Sequence, residues 1–304
     1  MTEPDFSFLC ALLRQRSGLS LGPDKLYLAE SRLSILCRRR GIAGIDLLMR
    51  QVRLGRDAEL ETAVVEAMTT NETLFFRDSA PFDLVREVLL PEKLAANAAS
   101  RTLRIWCAAV SSGQEAYSLA MLVDGMAERL AGWRVEILGT DISREVLEKA
   151  RSGLYSQFEI QRGLPIRMLL KHFSQRGDKW QVSEKLRAMV SFRRHNLLER
   201  SDGFGRFDIV FCRNVLIYFD TPTKQKVLEL LVPRLAPDGA LVLGATETVL
   251  GLASGLRPDP QQRGLFRPAL PSRLDAALPP RTQGLPWPAG ALPAPEKPDT
   301  ITRG

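Results

Sequence analysis

A strand that passes through small residues into a helix is the feature that most constrains how this chain folds. Residues 103–107 are mostly apolar, as in a buried strand, and residues 108–113 are small except for Val110. From Ala116 to Val123 apolar residues recur at the spacing of a half-buried helix. Such a unit opens nucleotide-binding α/β domains, in which small residues let a ligand approach the backbone at a helix N-terminus. The sequence therefore predicts an α/β fold with a ligand site after this strand.

The loop between that strand and helix does not have the composition of a phosphate-binding loop. It has one glycine, Gly113, where a dinucleotide-binding loop has three, and it has no lysine that could hold a phosphate. It does contain an acid, Glu115, which would repel an anionic ligand. One interpretation is that Ser112 and Glu115 form a capping box. The other is a positively charged ligand, and the sulfonium and ammonium groups of S-adenosylmethionine fit that description.

Composition narrows the class of protein. The chain of 304 residues has 42 basic and 35 acidic side chains, a net charge of +7, and seven arginines lie between Glu30 and Arg56. Its four cysteines are scattered and it has only two histidines, so we expect no metal site. No apolar run approaches the length of a membrane span, and the first residues do not have the pattern of a signal peptide. We expect a soluble, cytoplasmic protein that does not insert into a membrane.

Hydrophobic periodicity divides the chain into a helical part and an α/β part. Helices are predicted up to Leu90, with Gly18 ending the first and Pro23 starting the second. A strand over 134–141 ends on Asp141, which could hold ribose hydroxyls or cap the next helix. Further strands are predicted at 189–192, 207–212, 239–243 and 264–267, with a small hairpin over 172–182. Nine prolines from Pro268 onward predict a disordered tail over 269–304.

The strand over 207–212 runs into Arg213 and Asn214, with Tyr218 four residues further on. Methyltransferases that act on the amino groups of bases have a Pro-Pro-aromatic turn at this position. An arginine and a tyrosine suit an acceptor that is already an anion instead.

Five separated segments, taken together, resemble the CheR family of chemoreceptor glutamate O-methyltransferases, which use S-adenosylmethionine. They are TTNETLFFR at 69–77, AAVSSGQEAYS at 108–118, GTDIS at 139–143, NLL at 196–198 and FCRNVLIYFD at 211–220. The segments occur in the family's order, and the likeness covers roughly residues 5–268. Five motifs in the same order are far more specific than any one of them.

The resemblance implies a fold and a division into domains. The fold is a class I (Rossmann-like) methyltransferase sheet with an N-terminal all-α domain and a small β-subdomain insertion. The helical domain and its linker would cover 1–78 and the methyltransferase domain 79–268, with the insertion at 164–190. In some members of the family that insertion docks the C-terminal peptide of a receptor.

The resemblance also implies the site residues. Glu115 would bind the amino group of the cofactor and Asp141 its ribose, while Arg77, Arg213 and Tyr218, the catalytic candidates, would lie nearest the methyl group. The complete set of cofactor-binding candidates is Asn71, Thr73, Arg77, Glu115, Asp141, Asn196, Leu197, Arg213 and Asn214, of which Asn196 and Leu197 would border the adenine. Because the product ester is neutral, too strong a clamp on the carboxylate would slow the reaction. We therefore expect one of the two arginines to serve mainly structure, bridging the domains.

The sequence departs from the family pattern at four places. Val110 stands where the family usually has serine, Gln114 replaces the first of two glutamates, and Ala116 replaces proline. Residues 244–247 read Gly-Ala-Thr-Glu instead of Gly-His-Ser-Glu. Glu115 is retained.

The basic second helix is the candidate for contact with a substrate protein. Arg38, Arg39 and Arg40 at its end would attract the acidic, glutamate-bearing helices of a receptor's cytoplasmic domain, or they form an ordinary solvated face. Two other functions stay open, methylation of RNA and cofactor binding in a signalling scaffold without turnover. Basic and aromatic residues do not alternate near the predicted pocket, so we expect no nucleic-acid partner. We expect a monomer.

Overall fold

The computed structural model describes residues 1–247, 249, 251–252 and 255–269. The predicted disordered tail, 269–304, lies outside these residues except for Ala269. Within the described ranges no helix has both the length and the apolar character that crossing a membrane requires.

The first 68 residues, all of them described, form a small helical domain. Its helices are α1 (Glu3–Ser17), α2 (Leu26–Arg40), α3 (Ile45–Arg53) and α4 (Ala58–Met68). Gly18 ends α1 in a left-handed conformation (φ 78°), and a 3-10 turn at Pro23–Lys25 leads into α2, as predicted at both points. Leu9, Leu13 and Leu33 are fully buried where the helices meet. The apolar stripes of the sequence thus form a separate core.

The α/β part follows from residue 80. Its helices are α5 (Ala80–Leu84), α6 (Leu90–Ala96), α7 (Gln114–Asp124), α8 (Arg144–Ser152), α9 (Gln157–Gln161), α10 (Ile166–His172), α11 (Glu184–Met189) and α12 (Thr221–Leu231). Its strands are β1 (Thr102–Ala108), β2 (Arg134–Asp141), β3 (Leu154–Ser156), β4 (Phe173–Arg176), β5 (Lys179–Val182), β6 (Val190–Arg194), β7 (Phe207–Cys212), β8 (Leu235–Leu243), β9 (Leu256–Pro258) and β10 (Leu265–Pro268).

The main sheet has the order β6-β2-β1-β7-β8-β10-β9. The first five of these strands are parallel, and β10 and β9 continue the sheet in antiparallel pairing. Alternate residues of β1 bury on opposite faces, with Ile105 and Cys107 in one core and Trp106 in the other. The direction of chain progression reverses between β1 and β7, which places a ligand-binding crevice at the carboxyl ends of these strands. The predicted class I fold is confirmed.

The helix predicted to end at Leu90 continues to Ala96. This helix contains Pro91, which has no N–H and whose ring collides with a carbonyl in a regular α-helix. A π-helical segment at Val85–Leu89 precedes the proline, and this wider turn leaves room for it.

A second, three-stranded sheet has the order β3-β5-β4. The predicted hairpin is its β4–β5 pair, joined at Gly177. The third strand, β3, was not predicted because three residues are too short to show an alternating pattern. Tyr155 in β3 is fully buried, so this sheet packs on the main body of the domain. The predicted insertion at 164–190 does not include β3.

Candidate active site

A cleft lies at the carboxyl ends of the central strands. Its volume is about 960 Å³, including space open to solvent. The loops after β1, β2, β6 and β7 line it, together with the linker that follows α4. Ser17 and Leu19, at the end of α1, complete the wall. The cleft is therefore formed jointly by the helical domain and the sheet.

All of the predicted cofactor-binding and catalytic residues line this one cleft. They are Asn71, Thr73, Arg77, Glu115, Asp141, Asn196, Leu197, Arg213, Asn214 and Tyr218. They come from five segments of the chain, which the sheet topology brings together. Arg38, Arg39 and Arg40 lie elsewhere, exposed at the end of α2.

The loop after β1 is held in an unusual conformation. Ala109, Ser111 and Gly113 have φ values of 68°, 52° and 93°. The Ser111 N–H donates to Asp141 Oδ2 (2.8 Å), and its hydroxyl donates to the carbonyl of Asn71 (2.7 Å). A Cβ at Gly113 would lie 2.9 Å from the Cβ of Ala150, so glycine lets α7 begin close to α8. The loop is thus bonded both to β2 and to the linker.

Glu115 does not form the capping box that the sequence left open. Gly113 caps α7 without any side-chain hydrogen bond, and the Ser112 hydroxyl donates to the side chain of Gln114 (2.9 Å). Glu115 Oε2 instead accepts from Arg213 Nη1 at 3.0 Å. Burial raises the pKa of Glu115, and the Arg213 guanidinium opposes that rise.

Arg213 is fully buried and joins three parts of the protein. Besides Glu115, it donates from Nη2 to Asp78 Oδ2 (2.9 Å) and to the carbonyl of Arg77 (2.8 Å). Its guanidinium carbon lies 5.5 Å from the centre of the Phe82 ring. A buried guanidinium between two acids is a strong tie between elements. Arg213 therefore has the bridging geometry expected of one of the two arginines.

Arg77 is only half-buried, and its Nη1 donates to the carbonyl of Glu72 at 3.0 Å. The carboxylate of the adjacent Asp78 pairs with Arg213. Phe75, in the same linker, is fully buried against Tyr155 and Phe173, with ring centres 5.0 and 5.6 Å away. Both partners belong to strands of the small sheet, so Phe75 packs the linker onto that sheet.

The Asp141 carboxylate accepts hydrogen bonds from two backbone N–H groups, one in the loop after β1 and one just before α8. Oδ2 accepts from Ser111, and Oδ1 accepts from Ser143 at 3.0 Å. Burial raises the pKa of Asp141, and these N–H groups oppose the rise. Asp141 therefore connects the ends of β1 and β2 at the cleft, and its role is wider than helix capping.

The helical domain is bonded to the cleft at two points. Asn196 Nδ2 donates to the carbonyl of Arg16 at 2.6 Å, and its Oδ1 accepts from the N–H of Leu198. On the other side, the Ser20 N–H donates to the carbonyl of Tyr218 (2.9 Å). The end of α1 and the backbone after it therefore lie along the wall of the cleft that contains Asn196 and Tyr218.

Two family descriptions match the chain. "CheR methyltransferase, all-alpha domain" matches residues 4–69, and "CheR methyltransferase, SAM binding domain" matches residues 71–262. The chain belongs to the CheR methyltransferase family. S-Adenosylmethionine is therefore its cofactor.

Curated chemotaxis protein methyltransferases are similar to this chain over most of their length. Chemotaxis protein methyltransferase 1 of Vibrio cholerae is 42% identical over 255 residues, which are 83% of this chain and 92% of that protein. Chemotaxis protein methyltransferase 1 of Pseudomonas aeruginosa is 41% identical, with 82% and 91% covered. The chemotaxis protein methyltransferase of Salmonella typhimurium is 34% identical, with 83% and 86% covered.

The chemistry of the cleft fits the cofactor of the CheR family. A carboxylate at Glu115 suits an ammonium group, and a carboxylate at Asp141 suits hydroxyl donors. Two acids, Glu115 and Asp78, already neutralise Arg213, so it does not offer a free cation for a phosphate. The individual contacts to the cofactor stay predictions.

Sequence reasoning missed several residues of this CheR site. Ser17 and Leu19 gave no signal, because they belong to the helical domain and reach the cleft only in the folded protein. Ser111 was read as a small loop residue, although it ties Asp141 to the linker. Glu247 was noted only within an altered motif.

Proposed function

We propose that this CheR-family protein transfers a methyl group from S-adenosylmethionine to glutamate side-chain carboxylates of chemoreceptors, forming methyl esters in sensory adaptation. It would act in the cytoplasm, on the cytoplasmic domains of the receptors. The observation that carries the proposal is the convergence in one cleft of two acids suited to the cofactor with Arg77 and Tyr218, which suit an anionic acceptor. The names of the similar proteins, chemotaxis protein methyltransferases, support it.

The acceptor needs little activation. A glutamate carboxylate has an ordinary pKa of about 4.3, so it is an ionised nucleophile at neutral pH without a general base. S-Adenosylmethionine supplies an electrophilic methyl group when it is bound. The residues of the cleft would align the carboxylate for in-line attack and exclude water from two opposite charges.

We assign the orientation of the substrate carboxylate to Arg77 rather than to Arg213. Both terminal nitrogens of Arg213 already donate to Glu115, Asp78 and the backbone. Arg77 uses one terminal nitrogen on the carbonyl of Glu72, which leaves donors for a carboxylate. A single half-exposed arginine can orient the carboxylate without holding it too strongly.

We propose that the exposed basic end of α2 binds the acidic helices of the receptor. Arg39 pairs with Glu145 at 3.1 Å, in the helix that begins just after Asp141. This contact sets the basic end of α2 beside an element that leads directly from the cleft. Opposite charges at such a surface would speed encounter with an acidic partner.

Incubation with radiolabelled S-adenosylmethionine and purified chemoreceptor cytoplasmic domains tests the proposal. We expect label on the receptor that mild base releases as methanol, since a glutamate methyl ester is base-labile. The control is a receptor domain in which the labelled glutamates are replaced by glutamine, and it should remain unlabelled. Base-resistant label, label on added RNA in preference to the receptor, or cofactor binding without transfer would each overturn the proposal.

A further inference from the structure

Glu247 is a buried acid just after β8 whose carboxylate binds a whole turn of the backbone. Its Oε1 accepts from the N–H groups of Val215 (2.9 Å), Leu216 (2.7 Å) and, at longer range, Ile217 (3.4 Å). Its Oε2 accepts from the N–H of Asn214 (2.8 Å) and from that of Gly244 (2.8 Å). One side chain thus satisfies five backbone donors.

The turn after β7 needs such an acceptor. Asn214 has a left-handed conformation (φ 57°), and the chain then enters a 3-10 turn at Leu216–Tyr218. This conformation points successive N–H groups toward one place, where a carboxylate can accept from all of them. Buried N–H groups without a partner are costly, so the turn and the carboxylate stabilise each other.

The backbone beside Glu247 leaves room for this arrangement. Cys212 at the end of β7 pairs with Leu243 at the end of β8, so the two following segments are neighbours. A Cβ on Gly244 would lie 2.7 Å from Glu247 Oε2 and 3.2 Å from the Asn214 nitrogen. Glycine at this position therefore lets the carboxylate bridge the ends of both strands.

We propose that Glu247 is a positioning residue for methyl transfer. The turn that it holds begins at Arg213 and ends at Tyr218, both in the wall of the cleft, whereas Glu247 itself does not line the cleft. The carboxylate thereby sets the direction in which these two side chains enter the site. This inference rests on the proposed function, because it concerns the alignment of the acceptor.

The test compares Glu247→Gln with a matched control, Asp208→Asn. Asp208 is also buried, near the other end of β7, and accepts from the N–H of Arg104 (2.8 Å) and from Asn97 Nδ2 (3.0 Å). In both variants an amide NH₂ replaces one acceptor oxygen, and we expect both to lower the melting temperature. Only Glu247→Gln should speed hydrogen exchange at the amides of residues 214–217, by about tenfold or more.

Turnover provides the second measurement. With receptor and cofactor saturating, we expect Glu247→Gln to lower kcat about 100-fold, the effect of a misplacement near 1 Å, while the Kd of the cofactor changes far less. Asp208→Asn should keep the wild-type kcat. Gly244→Ala is a second variant that displaces the same carboxylate without removing it, and it should reproduce the exchange and kcat effects.

The inference is wrong if Glu247→Gln has wild-type rates of hydrogen exchange at residues 214–217 and a wild-type kcat. It is also wrong if Asp208→Asn loses as much kcat as Glu247→Gln does. If Glu247→Gln does not fold, the same two measurements on Gly244→Ala decide. If the wild-type protein methylates no receptor, the proposed function fails, and the exchange measurement still decides whether Glu247 holds the turn.

Discussion

Glu115 is the residue that we predict to bind the ammonium group of the cofactor. Its side chain is 12% exposed and faces the cleft, where Arg213 already neutralises part of its charge. Arg213 in turn is shared with Asp78, so this group of three side chains has one cation and two acids. Of its two acids, Glu115 lines the cleft, and its carboxylate is the one that a cationic cofactor would meet.

We expect Glu115→Gln to weaken binding of S-adenosylmethionine by roughly 1.5–3 kcal/mol, since a hydrogen bond to a charged group is lost. Titration calorimetry measures the effect. The matched control is Asp78→Asn, which also removes an acid from Arg213 but leaves Glu115 in place. We expect that control to lower stability while affinity stays close to wild type. Unchanged affinity in Glu115→Gln would refute its role.

Affinity should also depend on pH in a direction that the burial of the two acids fixes. Burial raises the pKa of Glu115 above the ordinary 4.5 and that of Asp141 above 3.8, so both take up protons at a higher pH than exposed carboxyls do. The predicted pairing with the cofactor ammonium group needs the ionised form of Glu115. We therefore expect the cofactor Kd to rise as pH falls through a window that begins above 4.5. Calorimetry at several pH values should show that the cofactor Kd depends less steeply on pH in Glu115→Gln than in the wild-type protein. Identical slopes in the two proteins would contradict the prediction.

At the scale of elements, the small sheet is bonded directly to the loop after β1. The Tyr155 hydroxyl, in β3, donates to the carbonyl of Ser112 at 2.7 Å. Ser112 lies between Ser111, which binds Asp141, and Gly113, which caps α7. The short strand that sequence reasoning missed therefore supports the loop on which Glu115 depends.

Tyr155→Phe tests this coupling. We expect a loss of about 1 kcal/mol in the free energy of unfolding, because the Ser112 carbonyl loses its partner, and a severalfold rise in the cofactor Kd. Tyr117→Phe is the control, since Tyr117 is equally buried and donates to the carbonyl of Ala150 at 2.8 Å. We expect Tyr117→Phe to lower the free energy of unfolding, measured with urea, about as much as Tyr155→Phe does. Its cofactor Kd should stay at the wild-type value. Equal Kd changes in both would show that the coupling is unspecific.

At the scale of the whole molecule, the basic end of α2, which we propose as the docking surface, is separate from the cleft. Arg38, Arg39 and Arg40 are exposed at one end of α2, outside the cleft. Neutralising all three should raise the KM for receptor roughly tenfold at low ionic strength, and less as salt is added, with the cofactor Kd unchanged. Steady-state kinetics over a salt series measures this.

The control for the arginine variant carries the same change in charge elsewhere. Lys226, Arg257 and Arg263 are exposed and lie outside α2, so replacing them should leave KM near the wild-type value. An unchanged KM after neutralising the α2 arginines would mean that they form an ordinary solvated surface. If the KM for receptor rises equally in the two variants, it depends on the net charge of the protein and not on the position of the arginines.

Local patterns determined much of the fold. The apolar periods, Gly18 and Pro23 predicted the helices of the first domain, and β2 and β7 lie where the sequence places them. These elements follow from side-chain spacing and turn residues within a few positions of each other, which is information that the chain carries locally. The five motifs and their order also sufficed to indicate the family, because each motif is a short run of neighbouring residues.

Only the tertiary structure decided which groups meet in the cleft. Asn196 binds Arg16, Arg213 binds Glu115 and Asp78, and Glu247 binds the turn after β7 across long separations in the chain. No local pattern encodes such pairs, because the topology of the sheet and the docking of the helical domain create them. The sequence alone determined where most of these elements form and which chemical groups they offer. The packing of those elements decided which acid faces a ligand and which holds an arginine or a turn in place.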